Sequence, residues 1–406
     1  MKGIKSKIII LISMMLCLAC GCGQLQDILS DVEQKLPQMG DILENSGSEK
    51  GEKITDVELL TDEPDTLYCY RMLTEDEKIW YTDIYEGIKE MQEEKELTAS
   101  LIPTLGEESI DKLFQCVMND HPELFYVSGY TYTLYSYGDE ITKIGFSGNF
   151  TMDKVEREQK QHLIDQAVNA FLKGIDEDAS DYEKVKAAYE YLVYNTEYNK
   201  AAKDNQNICS VFIENESVCQ GYAKANQYLL EKMGIPATLV IGVVTGGESH
   251  AWNLVEVDGE YYYVDATWGD ASYQAADGDS PVSSFAPQIN YDYLCVTTDQ
   301  LMQTHSLQNV VDMPQCVSMD ANYYVMEGAY FSAYDKTKIE AYVQKCLDEG
   351  KEGVTFKCSS AELYDTFYEK LVTDRVIFDY MATESGYIAY IESPDKFSLT
   401  FYLVNE

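Results

Sequence analysis

The chain has 406 residues, with 70 Asp and Glu against 30 Lys and Arg and a formal charge of −40. A surface of that sign repels phosphate backbones, which excludes nucleic acid as a partner and leaves solubility as the ordinary meaning of the charge. No phosphate-binding glycine loop or dinucleotide fingerprint occurs, and the four histidines are not at metal-ligand spacing, so neither a metal nor another cofactor is expected.

Lys2, Lys5 and Lys7 precede an apolar run from Ile8 to Leu18, and no acidic residue appears before Asp27. The run is too short to span a bilayer and has the form of a signal-peptide apolar region. The LACGCG that follows resembles a bacterial lipoprotein signal. The residue to be lipidated is Cys22, whose preceding Leu18-Ala19 and Gly21 suit processing better than the surroundings of Cys20; an ordinary cleaved signal is the alternative. Residues 1–22 are therefore expected to be a lipoprotein signal, and a lipid on Cys22 would anchor the exported protein to the outer face of the cell membrane. Residues 23–65 are acidic and weakly periodic, as a disordered tether would be.

Residues 66–175 are expected to form an α+β region. Thr74-x-x-Glu77 starts a helix with Trp80, Ile84, Ile88 and Met91 on one face, and a second helix falls near Ser109 to Met118. The Tyr/Thr alternation of HPELFYVSGYTYTLYSYG reads as strand, and much of Lys154 to Leu172 as helix.

Residues 176–312 hold the motifs that carry chemistry. After the helix of DYEKVKAAYEYLVYNTEYN, Ser217 and Gln220 read as a capping box that puts Cys219 second in a helix ending at Gly234 and Pro236. In a first turn the unpaired N–H groups and the positive dipole end favour a thiolate and could hold an oxyanion. Ala237 to Val244 reads as a buried strand. His250 to Val257 and Glu260 to Ala266 flank Asp258-Gly259, the strongest short hairpin signal. A two-residue turn pairs Val257 with Glu260, and counting back sets Trp252 opposite Asp265 and His250 opposite Thr267. His250 and Asp265 then share a face as diagonal neighbours, close enough for a carboxylate to hold an imidazole N–H. Asp270 is a second candidate for that role. Taken singly, a free cysteine is most often a buried core thiol, and a strand-end Asp a turn cap; the convergence of three such groups points to a thiolate nucleophile with its base. His121, His162 and His305 read as structural, and the seven cysteines from Cys69 to Cys358 other than Cys219 as buried thiols.

CQGYAKANQYLLEKMGIP followed by HAWNLVEVDGEYYYVDATWGD resembles the transglutaminase-like superfamily in its bacterial form, over Ser180 to Asp270. The resemblance implies a papain-like fold with Cys219 as nucleophile, His250 as base and Asp265 as orienter. That family includes cross-linking acyltransferases, peptidases, amidases and inactive members. The α+β fold expected is thus a papain-like transglutaminase core with an N-terminal α+β region and a small C-terminal α/β accessory domain over residues 313–406. For the latter, strands are expected at Tyr323 to Met326, Val354 to Lys357, Tyr387 to Ile391 and Ser398 to Leu403, with helices near Thr337 to Leu347 and Ala361 to Leu371.

The function expected is surface-anchored, cysteine-dependent acyl transfer on amide bonds, with hydrolysis slightly favoured over amine cross-linking. The substrate would be a protein or peptide, cell-wall peptide among them. The alternative is a non-catalytic cell-surface binding module that keeps the fold. One dominant, pH-sensitive reactive thiol would favour the enzyme, and uniformly sluggish thiols the module.

Overall fold

The computed structural model describes residues 8–13, 66–270, 289–351, 353–381 and 387–404. Cys22 and the tether of residues 23–65 lie outside them. Ile8–Ser13 is a strand that pairs antiparallel with Val127–Tyr137, from Ile8 opposite Tyr135 to Ser13 opposite Tyr130. Among the described residues no helix is long and apolar enough to cross a membrane.

Helix α1 (Glu75–Lys89) begins at the predicted capping box, Thr74 and Glu77 each bonding the other's backbone N–H, and buries Trp80, Ile84 and Ile88. Helix α2 (Ser109–Asp120) packs on it, and the hairpin β1 (Val127–Tyr137) and β2 (Glu140–Phe150) covers both. Asp120, at the end of α2, is buried and saturated with hydrogen bonds. Its carboxylate accepts from the Cys69 and Tyr70 N–H groups at 2.9 and 2.8 Å and from the Tyr81 hydroxyl at 3.1 Å. The Asn119 carbonyl accepts from Gln227 of the central helix at 3.0 Å. One hydrophobic cluster draws members from Cys69 to Ala321 and joins this region to the central helix. Helix α3 (Lys154–Leu172) and helix α4 (Asp181–Asn195), capped by Ser180 and Glu183, complete this side.

The central element is helix α5 (Cys219–Lys232), almost wholly buried, lying on an antiparallel sheet. The sheet order is β6 (His305–Leu307), β3 (Ala237–Val244), β4 (Ser249–Val257), β5 (Glu260–Val264). Asp258 and Gly259 both have positive φ, 51° and 82°, as a type I′ turn requires, and Val257 pairs with Glu260 as counted. The ladder stops at Asn253 opposite Val264, one pair short of Trp252 with Asp265. Thr267 is not on the strand, because Asp265 caps a short helical turn, Ala266–Gly269. A Cβ at Gly259 would meet nothing within 4 Å, so Gly259→Val tests the backbone alone. It should lower the unfolding free energy by about 1–2 kcal/mol in urea titration; no loss would mean that the turn tolerates a β-branched residue at positive φ.

A second cluster, from Tyr324 to Phe401, forms around a mixed sheet with Gly353–Cys358 at its centre, flanked by the short strand Tyr330–Phe331 and by Ser398–Val404, with Tyr387–Ser393 outermost. Helices α6 (Lys336–Asp348) and α7 (Ala361–Tyr368) pack on it. The strand expected at Tyr323–Met326 is instead a helical turn, because Asn322 caps it by accepting from the Tyr324 N–H. Tyr323 stacks flat on Tyr291, ring centres 3.8 Å apart, and Lys357 pairs with Asp292 at 2.6 Å, fastening this cluster to the first.

Candidate active site

Cys219 is the first residue of α5, one place earlier than the spacing suggests. Val218 occupies the cap position and offers no side-chain bond. Ser217 is drawn off by the preceding loop, where its hydroxyl bonds Ser210 at 2.7 Å and the Asn205 carbonyl at 3.1 Å. The loop comes so close that a Cβ at Gly221 would meet Ser217 Oγ at 2.0 Å and the Asn205 carbonyl at 2.8 Å. The first-turn N–H groups have no helical carbonyl to bond, which leaves donors at the end of the helix that carries Cys219. Asn253 fixes the helix over the sheet: its Nδ2 donates to the Ala223 carbonyl and its Oδ1 accepts from Asn226, both at 2.9 Å. The sulfur packs with Ala223, Leu239 and Ala251, and Cys219 keeps 3% of its surface.

His250, on β4, adjoins Cys219 closely enough for the sulfur to be among the groups that raise its imidazole. Its Nε2 lies 2.8 Å from Asp265 Oδ2, which leaves Nδ1 for the sulfur. Burial alone would depress the imidazole, but the Asp265 charge, the hydrogen bond to it and the adjoining Cys219 push His250 up to about 10. Burial alone would raise Asp265, yet the His250 charge and the bonds from His250 and His305 hold its carboxyl well below the usual range. The arrangement stores a proton on His250 beside the sulfur at neutral pH. Trp252 and Trp268 wall the imidazole at 5.9 and 6.1 Å between ring centres, excluding water and strengthening each charge interaction.

The structure thus brings Cys219, His250 and Asp265 together. Asp265 both orients and caps, since its Oδ1 accepts from the Thr267 and Trp268 N–H groups at 3.0 and 3.1 Å. Asp270 stands elsewhere, bonded to the Tyr222 hydroxyl, whose oxygen also lies 2.7 Å from the Thr196 carbonyl. His305, read from sequence as merely structural, is part of the site: its Nε2 lies 3.1 Å from the same Asp265 oxygen. The ligating atoms of His250, Asp265 and His305 lie within 4.8 Å of one another, the one such grouping among the described residues. Their hydrogen bonds account for that closeness, and we assign no metal to it.

The other seven described cysteines are buried and unpaired. Burial pushes Cys209, Cys316 and Cys358 up to about 12 and raises Cys295 and Cys346 as well, so these thiols stay protonated at neutral pH.

Residues 169–266 match the family model of the transglutaminase-like superfamily, a span that contains Cys219, His250 and Asp265. Kyphoscoliosis peptidase of Mus musculus is 22% identical over 236 residues, covering 52% of this chain and 34% of that protein. The Homo sapiens protein of the same name is 30% identical over 122 residues, 26% of this chain and 18% of its own length. The chain thus spans about a third or less of these relatives. Among solved structures, a TGase shares 18% identity at a TM-score of 0.25, over 35% of this chain and 44% of that one. The periplasmic domain of TgpA from Pseudomonas aeruginosa shares 14% at 0.21, over 37% and 71%.

Proposed function

Because residues 169–266 are a transglutaminase-like segment, we propose that this chain is a cysteine-dependent acyl-transfer enzyme acting on amide bonds of a protein or peptide. The observation that carries this is the placement of Cys219 at the first turn of α5 against an imidazole whose far nitrogen is held by a buried carboxylate. The Cys219 thiolate attacks the amide carbonyl, and the first-turn N–H groups receive the negative charge that develops on its oxygen. As the C–N bond breaks, the proton on His250 passes to the leaving amine, which departs and leaves a thioester. Water, or a second amine, then attacks the thioester while His250 takes its proton, and the thiolate is released. Hydrolysis is the favoured outcome, water being the abundant acceptor. Incubating the protein with a peptide library and with amine donors, and reading cleavage against amine incorporation by mass spectrometry, tests the reading with Cys219→Ala as control. Neither product from the wild type would favour the binding module.

From the LACGCG motif we propose separately that a lipid on Cys22 holds the protein at the outer face of the membrane. Cys22→Ser should abolish incorporation of labelled fatty acid; full labelling of that variant would move the anchor to Cys20 or refute the reading.

The charge state of the site predicts a pH dependence. His250 is raised above its unfolded value of about 6.5, so its stabilisation is complete below that pH and is lost as pH rises through about 10. Asp265 is held below its unfolded value of about 3.9, so its stabilisation is present above that pH and is lost as pH falls through the folded value. The pair contributes most between about pH 4 and pH 6.5. Urea unfolding of wild type and His250→Ala should give a stability difference that shrinks as pH climbs from there towards 10. A difference that grows would contradict the imidazolium.

A further inference from the structure

His305 lies 40 residues beyond Asp265 in sequence and has no part in the steps above. It sits on β6, which adds to the edge of β3 with His305 opposite Val244, and the ring is fully buried. Both ring nitrogens are engaged: Nε2 at 3.1 Å from Asp265 Oδ2 and Nδ1 at 2.8 Å from Thr304 Oγ1. A carboxylate only accepts, so Nε2 carries a hydrogen; in a neutral ring Nδ1 accepts, and the Thr304 hydroxyl hydrogen then turns to it at 2.8 Å rather than to the Leu301 carbonyl at 3.4 Å. The chain extends further. The Tyr293 hydroxyl bonds Thr304, and Lys396 Nζ donates to Tyr293 at 3.3 Å. The series begins at a lysine of the C-terminal cluster.

We propose that His305 is a positioning residue of the acyl-transfer site, a neutral imidazole fixed by Thr304 in its Nε2–H form, which donates to Asp265 Oδ2 and sets where that carboxylate meets His250. The proposal rests on the acyl-transfer reading of Cys219. Asp265 Oδ2 is shared between two rings, while Oδ1 is occupied by backbone donors. His305 therefore takes up part of the negative charge and moderates how tightly Asp265 holds the His250 proton, without competing for that proton itself. The titratable groups facing Asp265 are His250, His305, Tyr189 and Tyr293, with Cys219 beyond His250. Of these His305 is the ring donor that takes no part in the acyl-transfer steps, and which of its nitrogens carries the hydrogen is a signature that simple packing would lack.

With four histidines in the chain, nitrogen NMR of histidine-labelled protein can read each ring. In the wild type His305 should be neutral with its hydrogen on Nε2, and His250 doubly protonated at neutral pH. In His305→Leu the low-field proton between His250 and Asp265 should move further downfield. Alkylation of Cys219 by iodoacetate should not slow, because a stronger hold on the His250 proton keeps the imidazolium beside the thiolate. His305→Gln, whose amide nitrogen can stand where Nε2 stands, should return the low-field proton to its wild-type position. A His305 hydrogen on Nδ1, a doubly protonated His305, or an unmoved low-field proton in His305→Leu overturns the proposal while leaving the acyl-transfer reading intact. The wild-type measurement decides even if His305→Leu fails to fold. Should Cys219 in the wild type react no faster than the other thiols, the acyl-transfer reading falls, and this proposal with it.

Discussion

Cys219→Ala should abolish turnover, by at least about 1,000-fold on any substrate found in the peptide and amine screen, while the protein stays folded. The two halves of that expectation come from one location. Without the sulfur no thioester forms, and the remaining donors and imidazole cannot replace a covalent step. Alanine suits a first helical turn better than cysteine, and the neighbours Ala223, Leu239 and Ala251 lose only the contacts of one atom. The cost in unfolding free energy should be about 1 kcal/mol. Turnover with denaturant unfolding on the same preparation checks both, and a Cys219→Ala protein that keeps wild-type turnover would remove the nucleophile from the account.

The second large effect is expected at Asp265→Asn, which should lose both activity and stability. The wild-type carboxylate is full: two imidazole N–H groups meet Oδ2 and two backbone N–H groups meet Oδ1. An amide has one accepting end, so its NH2 must face two donors whichever way it turns. If it faces the imidazoles, His250 is driven to the wrong tautomer and turnover should fall about 10,000-fold. If it faces the backbone, the cap of Ala266–Gly269 is lost and the turn shifts. Either way a buried donor pair is left unmet, at a cost of about 2 kcal/mol. Steady-state rates and thermal unfolding are the measurements, and retention of turnover within about threefold would show that the His–Asp bond does not set the imidazole.

Much of this was legible in the sequence because it depends on local rules. Asp258-Gly259 specified a turn type, the turn specified a register, and the register placed His250 and Asp265 on one face. The box Thr74/Glu77 likewise declared a helix start that the structure shows. What escaped depends on distant chain. Ser217 and Gln220 have the spacing of a capping box, but Ser210 and Asn205 claim the serine hydroxyl, so the helix starts at Cys219 uncapped. At Tyr323–Met326 aromatic and β-branched residues suggested strand, yet one Asn322 cap and a stack on Tyr291 made a helical turn. His305 was unreadable for the same reason: its partner is chosen by which edge of the sheet β6 joins, and no spacing along the chain encodes that pairing. A hint was available in Thr304, a hydroxyl next to an imidazole on a short polar strand, although it specifies a tautomer rather than a site.

The most direct test of the central claim is to expose native protein to iodoacetamide at about pH 6, where an ordinary thiol with pKa near 8.5 is almost wholly protonated, and to map the labelled cysteine by peptide mass spectrometry. The account predicts rapid, single modification at Cys219, no comparable labelling of the other seven described cysteines, and loss of the rapid phase in His250→Ala. Labelling that is slow at every cysteine, or equally fast at Cys219 without the imidazole, would contradict a thiolate held ready by His250.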